Sequence, residues 1–360
     1  MVAVVVVGAA LVLWAVSSAV RTMVVPRALR SLISRAVFEA VRGVLRVLVG
    51  PSPSYERRDR LMALLAPVSM LLMPAAWLTL VAAGFTFLYR GLGVPDLRRA
   101  FELSGSSLFT LGTTTAPNLA TSTLTYVEAA LGIGLLALLI SYLPSIYATF
   151  SRREQMVSLL EVRADNPPTG PNMIVRYHRI GWDGGMTQVW KDWESWFADL
   201  DETHSSLPAL VFFRSPQPDH SWVTAAGAVL DGAALRASTV QGAEPEAHLC
   251  IRAGYVALRR LCDYFQLPYD PDPRPDDDIS VTREEFDAVY RRMADAGVPL
   301  VEDQDQAWRD FAGWRVTYDA PLTGLAALTM APEAPWSSDR GTPFRRPPLF
   351  ARTARRRSKR

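Results

Sequence analysis

The chain has 360 residues, enough for roughly two domains. Its two cysteines, Cys250 and Cys262, are too few and too far apart for a disulfide framework or a zinc site, and read as small buried hydrophobes in a reducing compartment. The net charge of +2 averages three unlike regions: +6 over residues 1–150, −12 over 151–336 (17 Lys/Arg against 29 Asp/Glu) and +8 over 337–360.

Three uncharged apolar stretches, residues 1–20, 61–89 and 129–151, each reach the ~20 residues that cross a ~30 Å hydrocarbon core. No basic residue precedes the first stretch and Arg21 follows it, a charge order that favours an uncleaved anchor over a signal peptide. Nine arginines lie between the first and second stretches: Arg21, Arg27, Arg30, Arg35, Arg42, Arg46, Arg57, Arg58 and Arg60. Basic loops stay in the cytoplasm. The expected topology in the cell membrane therefore puts the N-terminus outside, this loop inside, the segment after residue 89 outside or re-entrant, and everything after Ser151-Arg-Arg-Glu154 in the cytoplasm.

Inside the basic loop, Leu32, Ile33, Val37, Val41, Val44, Leu45 and Leu48 recur at helical spacing, with Arg35, Arg42 and Arg46 largely off that stripe. This is the pattern of a basic amphipathic helix over 31–49, lying on the inner membrane surface or packed on the cytoplasmic domain. Gly50-Pro-Ser-Pro-Ser54 breaks it. The second span carries Pro67 and Pro74, which predict a kink or a delayed entry into the membrane. Residues 97–111 then form a short helix with Phe101, Leu108 and Leu111 on its apolar side.

The most informative segment follows: Ser104-Gly-Ser-Ser-Leu-Phe-Thr110-Leu-Gly112-Thr-Thr-Thr115. Eleven of the 22 residues from 104 to 125 are Ser or Thr. Non-helical backbone persists at bilayer depth only where protein or a water-filled cavity satisfies its polar groups. Helix, short re-entrant helix, Thr-x-Gly turn and helix, over about residues 61–152, resembles the pore of the potassium-channel family. In that family four Thr-Val-Gly-Tyr-Gly loops present rings of backbone carbonyls to the ion. Thr110, Leu111 and Gly112 match the start of that motif; Thr113 and Thr114 stand where the family has an aromatic residue and a second glycine.

The resemblance implies a homotetramer around a monovalent cation path, with filter residues Thr110, Leu111, Gly112, Thr113 and Thr114. The departure at 113–114 implies weak discrimination of potassium from sodium. In the third span, Gly132, Gly134 and Pro144 fall where channel inner helices carry a bending glycine and a proline kink. Close helix packing is the other use for the glycines. Glu128, at the outer end of this span, either supports the back of the filter through Ser or Thr or faces external water.

Asp165-Asn-Pro-Pro-Thr-Gly-Pro171 punctuates the chain, and residues 153–171 read as a linker. Beyond it the periodicity predicts helices at about 186–202, 222–240, 246–265, 282–297 and 305–316. Thr282-Arg-Glu-Glu285 fits a capping box. Trp190, Trp193, Trp196 and Phe197 form a helical stripe expected in the core. His178, His204, His220 and His248 lack ligand spacing and read as surface or half-buried residues. Asp270 to Asp278 reads as a solvated acidic turn, because an EF-hand loop needs Gly where Pro275 stands. P-loop, dinucleotide and nucleophile-elbow motifs are missing, so neither a cofactor nor enzymatic chemistry is expected.

The expected fold class is thus all-α: three transmembrane helices with a re-entrant pore helix, followed by an all-helical cytoplasmic domain. Residues 1–60 are anchor and amphipathic helix, 61–152 the channel-like domain, 172–336 the cytoplasmic domain and 337–360 a disordered basic tail. The tail suits anionic lipid or the −12 domain, and nucleic acid is not an expected partner of a membrane-tethered chain. The reading is a homotetrameric, potassium-like channel with a regulatory domain; the alternative is a non-conducting anchor that presents a helical interaction domain.

Overall fold

The structure, a computed structural model, describes residues 1–25, 31–50 and 55–340. Arg27, Arg30, the break at 51–54 and residues 341–360 of the expected tail lie outside the described residues. Among the described residues all regular structure is helical, apart from one isolated antiparallel bridge between Val240 and Leu300. Three helices, Val2–Met23, Arg57–Gly91 and Leu119–Ala164, are long and apolar enough to cross a membrane. The chain divides into two compact units, the first Met1–Ala148 and the second beginning at Thr149.

The first unit contains α1 (Val2–Met23), α2 (Leu32–Val49), α3 (Tyr55–Met62), α4 (Leu65–Gly91), α5 (Leu97–Leu108) and the first part of α6 (Leu119–Ala164). Helix α1 runs antiparallel along α4: its N-terminal Gly8 meets Gly84, and its Ser18 Oγ accepts a hydrogen bond from Trp77 Nε1 at 3.0 Å. A Cβ on Gly8 would stand 2.6 Å from the Gly84 carbonyl oxygen, so glycine at both positions lets the backbones touch. Pro74 lies inside α4, which continues through it.

Helix α2 starts at Ser31, whose side chain caps it by accepting from Ser34 N and also meets Ser18 Oγ at 2.6 Å. The structure corrects the predicted apolar stripe of α2. Ile33, Val41 and Leu45 are buried within the unit, whereas Leu32, Val44, Val47 and Leu48 are exposed. The helix is apolar on two sides, and periodicity merged them into one.

The second unit opens inside α6. Residues 153–171, expected as a linker, are helix as far as Ala164, turn through Thr169 and helix again from Gly170. Val157, Leu160 and Ala164 are buried in this unit's core, which is why the helix persists. The core is wrapped by α7 (Gly170–Arg179), α8 (Met186–Ser206), α9 (Trp222–Thr239), α10 (Pro245–Phe265), α11 (Arg283–Asp295), α12 (Gln304–Arg315) and α13 (Asp319–Thr329). Helices α8 to α12 match the predicted ones to within a few residues; α7 and α13 are additions.

Helix α9 is central. Every residue but Arg236 and Ala237 is buried, and α7, α10, α12 and α13 pack around it. Its Ala- and Gly-rich sequence is apolar nearly all round because it has almost no solvent face. Trp190, Trp193, Trp196 and Phe197 are buried as expected, and truncating such a residue to alanine costs about 3–5 kcal/mol. The Thr282–Glu285 capping box is formed. Cys250 and Cys262 are free and fully buried, and burial pushes both thiols well above their usual range.

Candidate functional site

Asp96 caps α5 by accepting from Arg99 N, and the helix then packs on α4 through Ala100, Leu103, Ser104 and Leu108. Two contacts place its C-terminal end. Ser104 Oγ donates to Ala82 O at 3.1 Å, nine residues before the end of α4. The Leu108 carbonyl lies against Gly132, where a Cβ would come within 2.2 Å of it. Gly132 is thirteen residues into α6, or ~20 Å along the helix at 1.5 Å per residue. Gly132 is therefore a notch for the end of α5. A Cβ on Gly134 would touch nothing, and α6 runs unbroken through Pro144.

The chain leaves α5 through a helix cap. Leu111 N donates to Ser106 O at 2.8 Å and Thr110 N to Ser107 O at 3.0 Å, a Schellman pairing. That motif needs a left-handed residue after the cap, and Thr110 supplies it at φ 55°. Glycine usually holds this position, so residue type gave no hint of it. Gly112 is left-handed as well, at φ 68°. Thr114 N then donates to Ser106 Oγ at 3.1 Å, folding the segment back over the helix end. Thr110, Leu111, Gly112 and Thr113 are all exposed in the single chain, and Thr114 is half-buried.

Behind this turn, Glu128 is fully buried. Its Oε1 accepts from Ser104 Oγ at 2.5 Å and its Oε2 from Tyr89 OH at 2.8 Å. The carboxylate thus ties α6 to both α5 and α4. Glu128 is thus held by protein hydroxyls and not exposed to water within the chain; Tyr89 is a partner that sequence reasoning missed.

The second unit holds two buried charged clusters of its own. Arg153 donates to Leu210 O and Phe213 O, both at 2.7 Å, pairs with Glu154 at 2.7 Å, and meets His204 Nε2 at 3.1 Å. Arginine has no lone pair to offer, so His204 Nε2 accepts and its Nδ1 carries the proton. His204 is buried, not half-exposed, because its ring packs on Trp222 at 5.4 Å. Burial first, then the Arg153 charge, holds its pKa well below the ordinary histidine value.

The unfolded chain therefore binds a proton below about pH 6.5 that the folded chain refuses. Stability falls on acidification through that range, by up to ~1.4 kcal/mol per pH unit for one such group. His204→Gln keeps an acceptor for Arg153 and cannot protonate. Its unfolding free energy should fall less steeply below pH 6.5 than that of the wild type, and equal slopes in denaturant titrations would refute the assignment.

In the other cluster, Arg315 is fully buried and donates to Asp231 at 2.5 Å, to Asp319 at 2.7 Å and to Trp336 O at 2.5 Å. Tyr318 OH adds a 2.9 Å bond to Asp231. Burial alone would lower the Arg315 pKa, but Asp231 and Asp319 outweigh it and keep the guanidinium charged. Trp336 also packs on Phe311, and Arg340 pairs with Glu285 at 2.6 Å. The packed chain thus reaches Arg340, past the expected start of disorder at 337.

In the acidic turn, Arg274 N and side chain both bond Asp277. Among the described residues, no three His, Cys, Asp or Glu side chains are grouped to hold a metal ion. No protein-family model, curated protein or solved structure matches this chain.

Proposed function

We propose that this chain is one subunit of a cation-channel-like protein of the cell membrane. Four copies of residues 104–115 surround the ion path, and residues 172–336 form a regulatory domain. The observation that carries the reading is where α5 ends: the Leu108 carbonyl sits in the notch at Gly132, three residues into the apolar stretch 129–151. A hydroxyl-rich, non-helical segment that starts beside an apolar span cannot face lipid with its backbone exposed. Water, or other copies of the same segment, satisfies both the exposure of 110–113 and the need for polar surroundings. Glu128, Ser104 and Tyr89 brace the segment from behind. The arginines of residues 21–60 favour a cytoplasmic side for that loop and for the second unit.

One such segment cannot surround an ion, so detergent-purified chain is expected to sediment as a tetramer. Wild-type chain in liposomes is expected to pass monovalent cations, with potassium only weakly preferred over sodium. Thr113 and Thr114, in place of an aromatic residue and a second glycine, favour the other reading, a non-conducting anchor. A clean monomer or dimer, or no flux at either sign of voltage, selects that reading.

A further inference from the structure

We propose that the outer side of α2 is a docking surface for an anionic lipid bilayer. One side of α2 is already occupied: Ile33, Val41 and Leu45 are buried in the first unit, and Ser31 and Ser34 bond Ser18 and Thr22 of α1. The opposite side is a second apolar stripe of Leu32, Ala36, Ala40, Val44, Val47 and Leu48, all exposed. Val44 is 60% and Val47 81% exposed, values that water does not favour for contiguous valines on a regular helix.

A basic edge separates the two apolar sides. Arg35, Arg42 and Arg46 follow one another at i, i+7 and i+11 along it; Arg46 is exposed, Arg35 half-buried and Arg42 buried against the unit, and Arg57 and Arg60 of the neighbouring α3 are exposed. Residues 21–60 hold nine arginines against three acidic residues, Glu39, Glu56 and Asp59. Apolar side chains flanked by guanidinium groups fit the boundary between acyl chains and headgroups, and the positive charge selects phosphate-rich, anionic headgroups over zwitterionic ones. The same helix packs on α4 and α1, both long and apolar enough to cross a membrane, which puts its free side within reach of the bilayer surface. A second copy of the chain is the competing occupant, but a symmetric contact would bring these basic edges together. Lipid binding by α2 requires neither conduction nor a tetramer.

The test uses the full chain with one reporter cysteine, Val47→Cys or, separately, Ala36→Cys. Cys250 and Cys262 are fully buried, so an environment-sensitive fluorophore labels the new thiol selectively. The labelled chain is reconstituted in nanodiscs of phosphatidylcholine alone or mixed with phosphatidylglycerol. The expected result is blue-shifted emission and nitroxide-lipid quenching about 5–10 Å below the headgroups. Both should be stronger with phosphatidylglycerol, and Arg46→Gln should weaken the phosphatidylglycerol increment. Two outcomes overturn the proposal: both labels remain open to aqueous iodide in either lipid, or unlabelled Val47→Cys chains cross-link to one another across this face, as only a second copy would allow.

Discussion

Replacing Gly112 with valine is expected to abolish cation flux in reconstituted liposomes while leaving membrane insertion intact. Gly112 sits at φ 68°, where a β-branched side chain is strained by on the order of 1–3 kcal/mol. Space is not the obstacle, since a Cβ there would meet no atom of its own chain within 4 Å. The backbone geometry alone excludes valine. Relaxing Gly112 out of the left-handed region would redirect the carbonyls of 111–112 and the chain that returns to Ser106. Four-fold assembly would repeat this defect at each position of the ring. The apolar helices that insert the chain lie elsewhere in the sequence, so yield and oligomeric state should be unchanged. Equal flux through wild type and variant would refute a filter at this segment.

Replacing Arg315 with methionine is expected to destabilise the second unit by about 3–5 kcal/mol, the cost of leaving a buried charge without its partner. Asp231, 3% exposed, would keep only the Tyr318 hydroxyl, and the Trp336 carbonyl would lose its donor. At ~2–4 °C per kcal/mol for a unit of this size, the unfolding midpoint should drop by roughly 10 °C, as read by far-ultraviolet circular dichroism of the full chain. Limited proteolysis should also begin cutting around residues 331–340, which the guanidinium pins through Trp336. Removing both charges in Arg315→Met with Asp231→Leu should recover part of the loss, because an unpaired buried group costs more than a pair replaced by apolar surface. A loss below about 1 kcal/mol in the single variant would mean that water reaches the site.

These two positions also separate what a linear reading delivers from what it misses. Three apolar helices of span length, helices α8 to α12, the tryptophan core and the Thr282 capping box were all legible, because each is written in residues no more than a turn or two apart. Apolar stretches of span length and a 3.6-residue stripe report burial without naming the partner. The basic character of residues 21–60 and the hydroxyl-rich run after 104 were legible for the same reason.

Partner choice was not. Glu128 finds Ser104 across 24 positions and Tyr89 across 39, and Arg315 finds Asp231 across 84. Nor could spacing show that α5 ends against Gly132. Helix α13 was missed because Pro321 and Gly324 look like breakers, although a proline in a first turn gives up no intrahelical bond. Helix α2 was read with one apolar side because helical spacing alone cannot say which of its apolar residues face protein. Local periodicity thus determined where helices form and how apolar each is. Only the packed structure decided which side of a helix meets protein, which polar groups are satisfied and by whom, because those energies belong to contacts between distant segments.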